Sequence, residues 1–221
     1  MAKNPLSRLD ARVLEGFRAL GDLTGTTSDA MDECRIVGAV PGSVLRPTDP
    51  KARLVGQAIT VFNQRREATS MQKSGLGEIE AHKLAQPGDV LVIQGVANIS
   101  SMGGVSASVG KRQGEAGAVV DGAVRDIDHS RKIGYPIWSS SVSPVTGKWR
   151  IQTVAINRPV SIAGIPVRPG DLVVADEVGV CFIPFDRAVE VLAVAQRLTK
   201  REDDRLAKLD SGLPLKDWIK L

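Results

Sequence analysis

Apolar residues in this chain recur at two spacings, and the changes between them mark out its elements. Leu9, Val13, Leu14, Phe17 and Leu20 share one face of a 3.6-residue repeat and predict an amphipathic helix within residues 7–20. A second helix is expected from Thr26-Thr27-Ser28-Asp29, whose short polar side chains suit an N-cap, through Ala30, Met31 and Cys34. Together they give an N-terminal helical region of about 7–35. Residues 54–61 and the fully apolar Val90-Leu91-Val92-Ile93 read as strands, with a helix at 76–85 and a Pro87-Gly88-Asp89 turn between them. Ser100-Ser101-Met102-Gly103-Gly104 then opens a helix over 104–114. A strand at 117–124 follows, then a short helix at 126–133 and extended structure at Tyr135-Pro136-Ile137-Trp138.

Alternation of strand and helix through this middle region predicts α/β architecture. The later part is richer in strands, at 153–156, 165–167 and 171–175, and Pro169-Gly170-Asp171 echoes the earlier Pro-Gly-Asp turn. A long helix is expected over about 186–210, with Val189, Leu192, Ala195 and Leu198 on one face. Its charged run, Lys200 to Arg205, reads either as a solvated helix surface or as an arm that reaches a neighbouring subunit.

Composition narrows the class. The chain has 221 residues, 43% hydrophobic and 24% charged, with no Pro/Ser-rich linker, so a single domain over 1–221 is expected. Cys34 and Cys181 are too few for a disulfide framework or a cysteine-rich zinc site. No apolar stretch approaches the ~20 residues that span a bilayer, and nothing at the N-terminus reads as a secretory signal. A cytoplasmic protein without a membrane partner is expected. The net charge of +4 is spread among 25 acidic residues without a long basic run, so no nucleic-acid partner is expected.

Phosphate-loop, dinucleotide, nucleophile-elbow and zinc-protease motifs are absent. The stretch with most chemical content is 117–126, an apolar strand that ends in Arg125 and Asp126. About twenty residues upstream lies the glycine-bearing helix start, whose free N–H groups and dipole suit an anion. Arg125 can add a fixed positive charge and Asp126 an oxygen for a hard cation, which together make a site for a small carboxylate and a divalent metal. The alternative is a charged strand end at the surface. Asp128 can also approach a cation, whereas Asp121, flanked by apolar residues, reads as a hydrogen-bonded structural aspartate. Of the two histidines, His82 reads as a packing or surface residue. His129, three positions after Asp126, is either a metal ligand or water-positioning base, or a surface residue.

Residues 88–92, the Gly103-Gly104 helix start and Val119-Val120-Asp121-Gly122-Ala123-Val124-Arg125-Asp126 resemble the RraA-like family. So do residues 27–30, 56–61 and 167–176, and the resemblance extends over nearly the whole chain. It implies an αββα sandwich of the swivelling β/α/β type, assembled as homotrimers or homohexamers with sites between subunits. The family includes class II pyruvate aldolases that act on 4-hydroxy-4-methyl-2-oxoglutarate and 4-carboxy-4-hydroxy-2-oxoadipate, and the regulators of RNase E activity. By this resemblance, Gly103, Gly104, Val105 and Ser106 hold the substrate carboxylate and Arg125 contacts the substrate. Asp126 anchors Mg²⁺ or Mn²⁺, and Glu202, ten residues before Gly212, serves a neighbouring subunit's site. Many of the aldolases carry an aspartate at the position of Gly104. Others compensate with an acidic residue where this chain has His129. The RNase E regulators generally lack the aspartate matching Asp126.

The expectation that follows is a divalent-metal-dependent carbon–carbon lyase that cleaves a 4-hydroxy-2-oxo diacid to pyruvate, with oxaloacetate decarboxylation through the same enolate. Alternatives are a non-catalytic regulator, or an enzyme of the same fold with a changed substrate. The sequence names no side chain as general base, and a metal-bound water is the candidate for removing the 4-hydroxyl proton.

Overall fold

Apolar runs at 54–61, 90–93 and 117–124 become strands buried on both faces, because the sheet they form is covered on each side. The computed structural model describes residues 6–66 and 77–212. Its helices are α1 (Ala11–Arg18), α2 (Leu23–Glu33), α3 (Glu78–His82), α4 (Gly104–Gln113), α5 (Ile127–Ile133) and α6 (Ala188–Asp210). Its strands are β1 (Ala39–Pro41), β2 (Arg46–Pro47), β3 (Leu54–Arg65), β4 (Val90–Gln94), β5 (Ser100–Met102) and β6 (Gly117–Val124). They continue with β7 (Ile137–Val142), β8 (Ile151–Ile156), β9 (Val160–Ile162), β10 (Ile165–Val167), β11 (Leu172–Ala175) and β12 (Gly179–Ile183).

The main sheet runs β1-β12-β11-β3-β4-β6-β7-β2, with β5 added to β6 and β8 to β3. Strands β3, β4, β6 and β7 are parallel, and β11, β12 and β1 continue antiparallel from β3. β3 belongs to both halves, since residues 54–57 pair with β11 and residues 58–62 with β4.

Period-2 alternation then sorts side chains into three cores. Val55, Leu172, Val174, Cys181 and Ile183 face α1, α2 and α6. Leu54, Ala58, Val90, Val92, Val119, Trp138, Val173 and Phe182 fill the space between the two halves of the sheet. Ile59, Val61, Leu91, Ile93, Ala118 and Val120 face α3 and α4, which contribute Ala81 and Ala107. Helix, sheet, sheet, helix is therefore the layer order, the expected αββα sandwich.

Both Pro-Gly-Asp segments fold alike. Gly88 and Gly170 take φ of +87° and +89°, and the aspartates accept N–H groups three residues back, Gln86 to Asp89 at 2.8 Å and Arg168 to Asp171 at 2.7 Å. Each turn delivers the chain into a buried strand.

Several boundaries differ from expectation. α2 starts at Leu23, upstream of the Thr-Thr-Ser-Asp cluster, because Asp22 caps it by accepting the Gly25 N–H at 3.1 Å. Residues 100–102 do not open a helix; they form β5 beside β6, and the helix begins after Gly103. Of the expected helix at 76–85, α3 covers Glu78–His82, and residue 76 lies outside the described residues. α6 keeps Ala188, Val191, Leu192 and Ala195 buried, and from residue 200 to 212 every described residue is exposed. Among the described residues no helix is long and apolar enough to cross a membrane.

Candidate active site at the start of α4

β5 and β6 run side by side and end together, and this brings the α4 N-terminus against the Arg125-Asp126 pair. Ser100 pairs with Ala123 and Met102 with Val124, and the Arg125 N–H donates to the Met102 carbonyl at 3.1 Å. Gly103 is the N-cap of α4 and offers no side chain to cap it, which leaves first-turn N–H groups for another acceptor. Asp126 takes one of them: the Gly104 N–H donates to its Oδ2 at 2.9 Å.

The glycines are needed for close approach. A Cβ at Gly103 would lie 2.8 Å from Asp126 Oδ2 and 3.1 Å from Arg125 Nε, although its φ of −147° is open to any residue. At Gly104 a Cβ would lie 3.1 Å from His129 Cδ2.

Asp126 sits in the left-handed region, φ +56° and ψ +37°, at the N-cap of α5, yet its side chain makes no capping bond to that helix. A non-glycine residue there costs about 1–3 kcal/mol. The strained conformation turns the carboxylate away from its own helix and towards α4. Arg125 Nε lies 3.6 Å from Asp126 Oδ2, and the two side chains are 36% and 48% exposed. Guanidinium, carboxylate and helix N-terminus thus meet where a ligand can reach all three. They border a cavity of about 390 Å³, also lined by Glu78, Ile79, Thr146, Gly147 and Lys148. That size suits a small metabolite.

Behind this wall lies a buried polar chain. His82 Nδ1 is 2.7 Å from Glu115 Oε1 and Nε2 is 2.9 Å from Ser106 Oγ, while the Tyr135 hydroxyl donates to Glu115 Oε2 at 2.6 Å. Burial, reinforced by the Glu115 charge, holds the Tyr135 phenol well above its ordinary range. Each polar end is satisfied by another, so the chain fixes α3 to α4 and holds Ser106 at the cavity wall. His82 is thus a packing histidine.

Glu78, in the first turn of α3, was not singled out by the sequence. It is 4% exposed, and its Oε2 is buried without a hydrogen-bond partner among the described residues. Burial pushes its carboxyl up to about 7. One acidic residue in a stretch with Glu80 carries no local signal; only the packing of α3 on α4 selects it.

The structure brings Gly103, Gly104, Val105, Ser106, Arg125 and Asp126 together at one cavity. His129 is not among the residues lining it. Its Nε2 lies 2.8 Å from Ser108 Oγ, and it borders a separate shallow depression with Gly104, Val105, Ser108 and Asp126. Asp128 does not approach the cavity but pairs with Arg131 at 3.0 Å. Asp121 accepts the Ala163 N–H at 2.8 Å, a structural aspartate as expected. Glu202 lies on the exposed outer part of α6, and within one chain it does not line the cavity; a role there would need a second copy of the chain.

A family model described as RraA-like, Aldolase/RraA, matches residues 24–182, a span that contains every cavity residue named above. The chain belongs to the RraA-like family. Glu202 falls beyond the span matched by the RraA-like model. A Halalkalibacterium halodurans protein provisionally named 4-hydroxy-4-methyl-2-oxoglutarate aldolase is 32% identical over 201 residues, 90% of this chain and 88% of its own. An uncharacterised Pseudomonas syringae protein of known structure superposes with a TM-score of 0.82 at 28% identity, covering 96% of this chain and 98% of that one. Streptomyces coelicolor RraAS2, described as an unusual member of the RNase ES inhibitor RraA family, matches at 28% identity and a TM-score of 0.79, over 91% of this chain and 98% of its own.

Proposed function

We propose that the α4 cavity is the active site of a divalent-cation-dependent lyase acting on 2-oxo acids, releasing pyruvate from a 4-hydroxy-2-oxo diacid and decarboxylating oxaloacetate. The observation that carries this reading is the meeting of Arg125, Asp126 and the α4 N-terminus in one cavity. The aldolase name of the H. halodurans relative supports the same class of reaction.

The donor set fits a hard cation held mainly by substrate and water. Among the described residues no group of three or more His, Cys, Asp or Glu side chains stands ready to hold a metal. Asp126 offers Oδ1, which among the described residues makes no hydrogen bond, while Oδ2 is held by Gly104. One anchoring carboxylate is the usual protein share of a magnesium site. Mg²⁺ or Mn²⁺ held by Asp126 would supply Lewis-acid polarisation of the 2-oxo group.

The chain's own groups account for binding and charge. Val105 and Ser106, in the first turn of α4, line the cavity, and their N–H groups suit the substrate carboxylate. Arg125 lies beside them, where its planar guanidinium can grip a carboxylate oxygen and the oxygen that becomes negative as the carbon–carbon bond breaks. Both reactions leave the same pyruvate enolate, so one site serves both.

Incubating the protein with 4-hydroxy-4-methyl-2-oxoglutarate or oxaloacetate and Mg²⁺ or Mn²⁺ is expected to release pyruvate, and EDTA is expected to abolish the release. If no 2-oxo acid yields pyruvate with either metal, the lyase reading is wrong and the regulator resembling the RNase ES inhibitor becomes the better account.

A further inference from the structure

We infer that Glu78 is the proton-transfer group of the α4 cavity, giving the substrate-derived enolate its proton at carbon 3 and taking that proton in the reverse direction. This assignment rests on the lyase reading above. Glu78 lines the same cavity as Arg125, Asp126 and the α4 N-terminus, yet it belongs to a different element, α3. Its side chain is almost wholly buried, and Oε2 has no partner among the described residues. A buried carboxyl oxygen left unsatisfied is costly, and such groups persist in native structures where they serve a ligand or a reaction.

The surroundings suit the role. Burial raises the carboxyl to about 7, so near neutral pH both the acid and its conjugate base are well populated. The backbone N–H of Glu78 itself and then His82, one turn further along α3, oppose that rise, and His82 is engaged by Glu115 and Ser106, which keeps the imidazole away from the substrate. The remaining charged groups on the cavity wall have other parts. Asp126 is tied to Gly104, and Arg125 and Lys148 are cations that attract the substrate. Among the described residues of the cavity wall, Glu78 is therefore the carboxyl not already held by a backbone N–H of α4.

In the cleavage direction the Glu78 O–H bond breaks and its electron pair stays on the carboxylate. The π pair of the enolate forms the new C3–H bond, and the C2–O bond returns to a carbonyl. Water restores the Glu78 proton, and the hydroxide left behind takes up the proton released by the substrate's 4-hydroxyl, or in decarboxylation combines with the CO₂ as bicarbonate. In the reverse direction the carboxylate removes a methyl proton from pyruvate, so the enzyme should exchange those protons with solvent even when no second substrate is present.

That half-reaction gives the test. With pyruvate and Mg²⁺ in D₂O, proton NMR of the wild type should show loss of the methyl signal. Glu78→Gln, which matches the shape of the protonated acid, should slow the exchange by about 10²-fold or more. Its Kd for pyruvate, measured by calorimetry, should stay within about threefold, and Glu78→Asp should recover part of the exchange. Exchange in the glutamine variant within about threefold of wild type overturns the assignment and leaves the lyase reading intact. Loss of exchange together with loss of pyruvate binding also overturns it, because Glu78 would then be a binding residue. Absence of exchange in the wild type overturns the lyase reading and the assignment together.

Discussion

Asp126→Asn is expected to lower metal-stimulated release of pyruvate by about 10³-fold, roughly 4 kcal/mol of transition-state stabilisation. Its fold should be unchanged. Asparagine tolerates the left-handed backbone that Asp126 adopts, and its amide oxygen can still accept the Gly104 N–H that Oδ2 accepts now. What the substitution removes is the negative charge. A hard cation held by one protein carboxylate depends on that charge more than a site with three or four ligands would. Steady-state kinetics at limiting Mg²⁺ checks this, with circular dichroism as the control. Wild-type turnover in the asparagine variant would show that Asp126 is not the anchor and that its strained backbone serves something else.

The second large effect concerns a residue with no side chain. Gly103→Ala should lower kcat/KM by about 10²-fold, as an ångström-scale displacement of a binding group can. The added methyl would sit 2.8 Å from Asp126 Oδ2 and 3.1 Å from Arg125 Nε, and both side chains can swing aside. The backbone itself is in an extended conformation open to alanine, so the urea midpoint should stay where it is. Lost activity with unchanged stability would mean that the glycine exists to let the strand end reach the helix entry. Equal loss of both would assign it a folding role, and no loss of either would mean that the Arg125-Asp126 arrangement is not needed in its present geometry.

How much of this was legible depends on the range of the interaction behind each feature. β6 was legible to the residue, because an apolar run bounded by glycine and by charge reports burial on both faces. The two Pro-Gly-Asp turns were legible for a similar reason, since turn chemistry is local. The start of α2 was not: the Thr-Thr-Ser-Asp cluster looks like a cap, but Asp22 lies upstream and makes the bond. β5 was read as the opening of a helix because its serines and following glycines mimic a cap, whereas its pairing with β6 is a tertiary fact. Short strands such as β1, β2 and β9 have too few residues to show a period at all.

The same division holds for the candidate site. The resemblance named Gly103, Gly104, Val105, Ser106, Arg125 and Asp126, and folding brings these six to one cavity. Glu78 carried no local signal because only the packing of α3 on α4 buries it, and the His82-Glu115-Tyr135 chain was hidden because it joins residues 20 to 33 positions apart along the sequence. His129 shared a predicted face with Asp126, and the helix does place it nearby. Its ring, however, engages Ser108 across Gly104, a contact that only the packing of α4 against α5 creates.

The location of the metal and the substrate is the central claim, and anomalous scattering from crystals grown with Mn²⁺ and pyruvate tests it most directly. The account predicts a manganese peak within coordination distance of Asp126 Oδ1, with pyruvate density beside it spanning from the α4 N-terminus to Arg125. A manganese peak away from Asp126, or pyruvate bound outside the α4 cavity, would contradict it.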